Sequence, residues 1–297
     1  MRALLLALLI LAAPAALLSV VPHPAAATEG WARGDGTHGS RAALNADLAD
    51  ARFVLLGETH DNPHHHAAQA SLLRSMVDAG RKPAVVWEMA PRDQQSAIDA
   101  WAAGPDADDA DGFAEAVGWA ESGWPDFALY RPIVDAAIDG GLAMVAGNLP
   151  SGATRSIAQG GLAALGDRTV DAWRLSDPLS DEATAAHLDA VFDGHCRLVP
   201  RERLGTMVDV QVARDASLAA AMVGHPDGAV LIAGRGHVRT DIGVPLHLRR
   251  LAPEMKTVAV GLSEGQTVGA FDWMRAFRAA DRDDPCESLR QRFKAHN

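Results

Sequence analysis

The 297 residues carry a formal net charge of -11, with 48% apolar side chains, one tyrosine and two cysteines. A chain this acidic, with no run of Lys and Arg, excludes nucleic acid as a partner. It leaves room for a small anion, which needs only local arginines or a helix N-terminus.

Met1-Arg2-Ala3 and the Leu/Ala run to Val21 set one positive charge before an apolar core, and Ala25-Ala26-Ala27 precede Thr28. This is the pattern of a secretory signal peptide over residues 1–27. No Cys stands near Ala27, so lipidation of the usual bacterial type is not expected, and the mature chain is expected to be periplasmic or secreted. Residues 28–297 are long enough for one large α/β domain with an inserted part. Thr28 to Ser40, rich in Gly, Thr and Ala, reads as a poorly ordered lead-in.

Phe53-Val54-Leu55-Leu56 is a short apolar run that stops at Gly57-Glu58-Thr59-His60. Asp61 or Asn62 can then cap a helix with Pro63 at its first position and Gly80 at its stop. Ala84-Val85-Val86-Trp87 ends at Glu88 and repeats the strand–turn–helix order through Pro91 to Gln95. The acidic stretch from Gly104 to Gly112 lacks the terminal Glu of a calcium loop and reads as a solvated surface loop. A third run, Leu142 to Ala146, ends at Gly147-Asn148, and a fourth, Ala229 to Ala233, ends at Gly234-Arg235-Gly236-His237. Between them lie helical patterns over Gly152–Leu165, Asp181–Phe192 and Arg201–Val223, far more than one crossover requires. Thr257 to Leu262 supplies a further strand.

Continuously apolar strands bounded by Gly and Pro are the mark of a sheet buried on both faces. The expected fold is therefore α/β: a mostly parallel sheet flanked by helices. A smaller helical subdomain, inserted around residues 150–225, would lie over the strand C-terminal ends. Ligands in such sheets sit beyond the carboxyl ends of the strands. Glu58, His60, Glu88, Asn148 and His237 are thus expected to meet around one crevice.

Glu58 and His60, two apart after a strand, can face the same way and act as a metal-ligand pair or as a ligand and its orienting partner. Glu88 is expected either to face the crevice or to pair with Arg92. His237, flanked by Arg235, Arg239 and Asp241, can be oriented by them or help them to bind an anion. The run His64-His65-His66 places successive rings about 100° apart and reads mainly as surface. Cys196 and Cys286 either form a disulfide, as an oxidising compartment favours, or are two unpaired buried thiols.

Several stretches together resemble the ChaN-like haem-binding uptake family, within the wider Tiki/TraB and erythromycin-esterase-like grouping. They are Leu56-Gly57-Glu58-Thr59-His60-Asp61-Asn62-Pro63, Glu88-Met89-Ala90-Pro91-Arg92-Asp93-Gln94-Gln95 and Leu129-Tyr130-Arg131-Pro132. Asn148-Leu149-Pro150, Gln211-Val212-Ala213-Arg214-Asp215, the segment Gly236 to Pro245 and Asp284-Pro285-Cys286 continue the likeness. The resemblance implies an exported haem-binding protein for haem or iron uptake, with cofacial haems across a homodimer and an outer-membrane uptake system as a partner. It makes Tyr130, His60 or His237 the iron ligand and places Asn148, Arg155 and Arg235 around the cofactor. The Tiki-like relatives imply instead a metal-dependent hydrolase or peptidase. There Zn, Mn or Co would be held by His60, His237, Glu58 and Glu88, with Glu58 or Glu88 as the catalytic carboxylate.

Overall fold

Strands that are apolar on both faces need partners on both edges and helices above and below, and this chain provides both. We describe the architecture from a computed structural model covering residues 30–225, 227–265, 270–284, 286–287 and 289–291. The expected signal peptide lies outside the described residues. Within them, no helix is long and apolar enough to cross a membrane.

The strands are β1 (Trp31–Arg33), β2 (His38–Gly39), β3 (Phe53–Glu58), β4 (Ala84–Pro91), β5 (Met144–Asn148), β6 (Ala229–Gly234), β7 (Thr257–Glu264) and β8 (Trp273–Phe277). The helices before β5 are α1 (Arg41–Asp50), α2 (Pro63–Asp78), α3 (Gln95–Ala102), α4 (Ala110–Ala116), α5 (Trp119–Ser122) and α6 (Arg131–Asp139). Those after it are α7 (Ala153–Gly160), α8 (Asp167–Ala172), α9 (Asp181–Gly194), α10 (Gly205–Val223) and α11 (Val244–Leu251). One sheet runs β2-β1-β8-β7-β3-β6-β4-β5. The six strands from β8 to β5 are parallel, and β1 runs antiparallel to both its neighbours. The α/β reading is thus correct.

Side-chain alternation builds a core on each face. Val54 and Leu56 of β3 join the layer of α1, α2 and α6, whereas Phe53 and Leu55 meet Leu218 and Met222 of α10. The capping of α2 follows its sequence. The Asn62 side chain accepts from the His64 and His65 N–H groups, Pro63 opens the helix, and Gly80 turns the chain at φ +81°. Residues 30–39 correct the expectation of a loose lead-in. Trp31 is buried, and the guanidinium carbons of Arg41 and Arg275 lie 6.0 and 5.5 Å from its ring, which fixes β1 and β2 on the sheet edge.

The helical segment between β5 and β6 has its own small core of Leu175, Val191, Val199, Leu204, Val208 and Val212. Helix α10 belongs to two cores, because its first half contributes to that cluster and its second half packs on the sheet. A disulfide joins Cys196, just past α9, to Cys286, with Cα atoms 5.6 Å apart. Of the two readings of the cysteines, the disulfide is the one found.

Order along the sheet positions the site. The chain passes from β3 to β4, two places over, and returns later to fill the gap with β6. The ends of β3, β6 and β4 therefore lie side by side, with Glu58 opposite Gly234. Gly57 admits the turn at Arg235–Val238, since a Cβ there would lie 2.2 Å from Val238 Cγ2 and 2.9 Å from Arg235 Cα. Gly57→Ala is expected to destabilise the chain by about 1–3 kcal/mol through overpacking. Gly205→Ala, facing open space, should leave thermal unfolding within error in the same calorimetric comparison.

Candidate functional site

Three carboxylates and two imidazoles meet at the ends of β3, β6 and β4. Glu58 and Glu88 are each 2% exposed and Asp215 of α10 is 3% exposed, so none has water to solvate its charge. Each finds an imidazole instead. His237 reaches Asp215 Oδ1 through Nδ1 at 2.6 Å and Glu88 Oε1 through Nε2 at 3.2 Å. Glu88 Oε2 accepts the Gly234 N–H at 2.7 Å. His60 Nδ1 lies 2.7 Å from Glu58 Oε1, and the Tyr130 hydroxyl donates to the same oxygen at 3.1 Å.

Titration follows from this pairing. Burial works against a charged His237, but Glu88 and Asp215 outweigh it and hold its pKa well above the ordinary value. Burial also opposes charge on His60, yet Glu88 and the bond to Glu58 raise its pKa to about 9. For Glu88 the penalty of burial is overcome by His237 and His60, which keep it below the usual carboxylate range. Asp215 goes the other way, pushed by burial to about 6 despite His237. The cluster alternates carboxyl groups with imidazoles, and both imidazoles are held in the protonated form at neutral pH.

The crevice expected from sequence therefore forms, with Glu58, His60, Glu88 and His237 together. In this crevice the four side chains pair with one another and with Asp215. Among the described residues no group of three or more His, Cys, Asp or Glu side chains is placed to hold a metal ion. Three imidazole nitrogens lie on carboxylates: both of His237 and Nδ1 of His60. Arg92 does not pair with Glu88; it holds the hydroxyl and carbonyl of Ser217.

Other expected residues take structural positions. Tyr130 is fully buried and points inward at Glu58 rather than toward a ligand, with its ring 4.1 Å from that of His66. Asn148 Nδ2 donates to the Glu88 carbonyl and its Oδ1 accepts the Leu149 N–H, bracing β4 against β5. Arg235 is half-buried on the turn after β6, and Arg155 is exposed on α7. His65 and His66 are buried, against expectation, because the first turn of α2 covers the ends of β3 and β7. His65 Nδ1 accepts the Thr59 N–H at 2.9 Å, and its Nε2 donates to the Ser263 carbonyl at 3.2 Å. This fixes the 58–60 turn.

Beside the charged row, a cavity of about 300 Å³ opens between α9 and the 235–239 turn. Its walls include His187, Ala190, Val191, His195, Arg239 and Ile242, with His237 and Asp215 at its back. His187 is 2% exposed, and its Nε2 has no protein partner. Burial lowers the pKa of His187 to about 4, so this ring is neutral. His195 Nδ1 lies 2.7 Å from the Val191 carbonyl and donates to it, leaving Nε2 without a protein partner among the described residues. Neither histidine was singled out from sequence. The signal was there in the spacing, since 187, 191 and 195 fall on one face of α9.

Two further histidines make stability depend on pH. Burial lowers His65 to about 4 and His247 to about 3. Both are neutral in either state above pH 6.5, where their contribution is fully present. As pH falls from 6.5 toward 4 and 3, the unfolded chain binds protons that the folded chain refuses, and stability is lost. Urea midpoints should drop across that window at about 1.4 kcal/mol per pH unit for each ring. His247 has no protein partner for either nitrogen, so His247→Leu should flatten the acid side without weakening the fold at pH 7. An unchanged acid slope in that variant would contradict the assignment.

Comparison with known proteins agrees with this architecture. The sequence model of the family described as haem-binding uptake, Tiki superfamily, ChaN matches residues 44–248. No curated protein matches the sequence. The structure is similar to that of ChaN of Campylobacter jejuni, described as binding cofacial heme, with a TM-score of 0.69 at 22% identity. That match covers 82% of this chain and 94% of the other. An erythromycin esterase, EreC, in its open conformation gives a TM-score of 0.44 at 15% identity, covering 79% of this chain and 77% of its own. The type III effector HopBA1 gives 0.42 at 13%, covering 80% and 93%.

Proposed function

The chain belongs to the haem-binding uptake family of the Tiki superfamily, and we propose that it is an exported protein that binds haem in the course of haem or iron uptake. The observation that carries this reading is the cavity beside the strand ends, where two imidazoles present nitrogens without protein partners. Haem iron takes a neutral imidazole as axial ligand. A protonated ring wedged between carboxylates, as His237 is, cannot serve.

The residues fit the group. Ala190, Val191 and Ile242 give the cavity apolar walls for part of a macrocycle, and Arg239 stands at its border. About 300 Å³ is the lower end of the range for ligand pockets. One face and edge of haem would be held, and the rest would stay outside. An uncovered outer face suits stacking on a second haem, and this supports a homodimer in which two copies bring their cofactors together. The bound group would supply an iron centre. What the protein does is seat it and exclude water from its inner face.

Ferric haem titrated into the purified mature chain is expected to give a shifted, sharpened Soret band that saturates at one equivalent per chain. Tyr130→Phe should keep that stoichiometry, because the hydroxyl it loses faces Glu58. Loss of haem from a folded Tyr130→Phe variant would return the ligand role to the phenol. Absence of saturable binding by the unaltered chain would end the haem reading.

A further inference from the structure

We infer that Nε2 of His195 is the protein's ligand to the iron, and that the Cys196–Cys286 disulfide keeps this ring in position. The inference rests on the haem-binding reading and names the residue through which it acts.

Of the three histidines that line the cavity, His187, His195 and His237, His195 combines access with a fixed, available nitrogen. His237 has both nitrogens on carboxylates. His187 has a partnerless Nε2 but is buried at the inner wall, where it can receive a hydrogen bond from a ligand or donate one to it. His195 is half-buried at the cavity edge. Its Nδ1–H is held by the Val191 carbonyl, which leaves the lone pair on Nε2. A backbone carbonyl on the far nitrogen is what fixes tautomer and ring direction in metal-binding histidines.

The backbone around this ring is held by force. His195 follows the last residue of α9, and the two residues after it, Cys196 and Arg197, have φ values of +55° and +59°. Side-chain-bearing residues avoid that left-handed region, so two in succession persist only where the surroundings impose them. Three contacts do so here. The disulfide ties Cys196 to the C-terminal segment, Arg197 Nε donates to Asp193 at 2.7 Å, and the Arg197 N–H donates to the Phe192 carbonyl. Without the disulfide, the adjacent residues are free to relax toward ordinary φ, and the His195 ring is held less firmly at the cavity edge.

The test is ferric and ferrous haem titration followed by absorption and electron paramagnetic resonance, with circular dichroism to confirm folding. The unaltered chain should show an imidazole-ligated spectrum. His195→Ala should lose that signature and bind haem at least tenfold more weakly, and imidazole added to the solution should restore the signature. His64→Ala, on the exposed side of α2 and away from the cavity, should retain it. Cys196→Ala/Cys286→Ala should keep the imidazole signature and weaken affinity several-fold. A folded His195→Ala variant with unchanged spectrum and affinity would overturn the ligand assignment while leaving haem binding intact. An unchanged affinity in the double cysteine variant would overturn the role of the disulfide. Failure of the unaltered chain to take up haem removes both the function and this inference.

Discussion

A carboxylate buried at the end of a parallel strand has lost its water and must be given a counter-charge by the protein. This chain buries three of them: Glu58 on β3, Glu88 on β4 and Asp215 on α10. The imidazoles that answer them come from the turns after β3 and β6. The row from Asp215 through His237 and Glu88 to His60 and Glu58 therefore stitches together three strands and a helix far apart in sequence. Removing either imidazole would leave a buried charge unpaired, a loss on the order of 3–5 kcal/mol. The same requirement explains Gly234. Its N–H serves Glu88, and a Cβ there would lie 2.8 Å from His60 Nε2, so the row closes only over a residue without a side chain.

The fold thus separates two kinds of histidine within one region. Those between carboxylates are charged and structural. Those carried by α9 face the cavity without a carboxylate partner, and His187 is held neutral by burial. The distinction matters because the two kinds are interchangeable in a sequence motif and opposite in chemistry. An imidazolium repels iron, while a neutral ring with its far nitrogen already bonded is ready to bind it. The charged row still bears on the cavity, since His237 and Asp215 form its back wall and fix the turn that carries Arg239.

The sequence made the central strands legible because burial on both faces leaves no room for polar residues, so Phe53–Leu56 and Ala229–Ala233 declare themselves. The edge strands were hidden, because two or three residues around Trp31 carry no periodicity and owe their position to partners at Arg275 and Trp273. The gathering of Glu58, His60, Glu88 and His237 was legible from strand ends alone. Their arrangement was not. Whether two imidazoles and two carboxylates converge on an ion or pair with one another is decided by a few ångströms of side-chain placement, which residue spacing does not encode. The setting of Tyr130 was not legible for a related reason: its polar partners among the described residues are Glu58 and His60, some 70 positions away. His195 was missed because attention fell on strand ends, while its position depends on a helix terminus.

The C-terminal segment shows why the site lies in the middle of a long sequence and yet depends on its end. Arg282 holds Asp61 through two nitrogens, at 2.6 and 2.7 Å, and also grips Glu264 at the end of β7. Asn62, the cap of α2, donates to Glu264 and to the Arg278 carbonyl. A few residues on, Cys286 is bonded to Cys196 beyond α9. One short segment therefore ties the end of β7 to the turn after β3, which carries His60 of the charged row, and to the end of α9, which walls the cavity. A cross-link spanning 90 residues removes chain entropy worth on the order of 4–5 kcal/mol from the unfolded state. Charge pairs at a half-exposed surface contribute far less apiece. The covalent tie thus dominates the energetics of this anchor, and the ionic contacts of Arg282 set its register. Exchanging those two roles would not work: ion pairs alone could not hold Cys196 and Arg197 in left-handed backbone, and a disulfide alone would not orient the segment against Asp61.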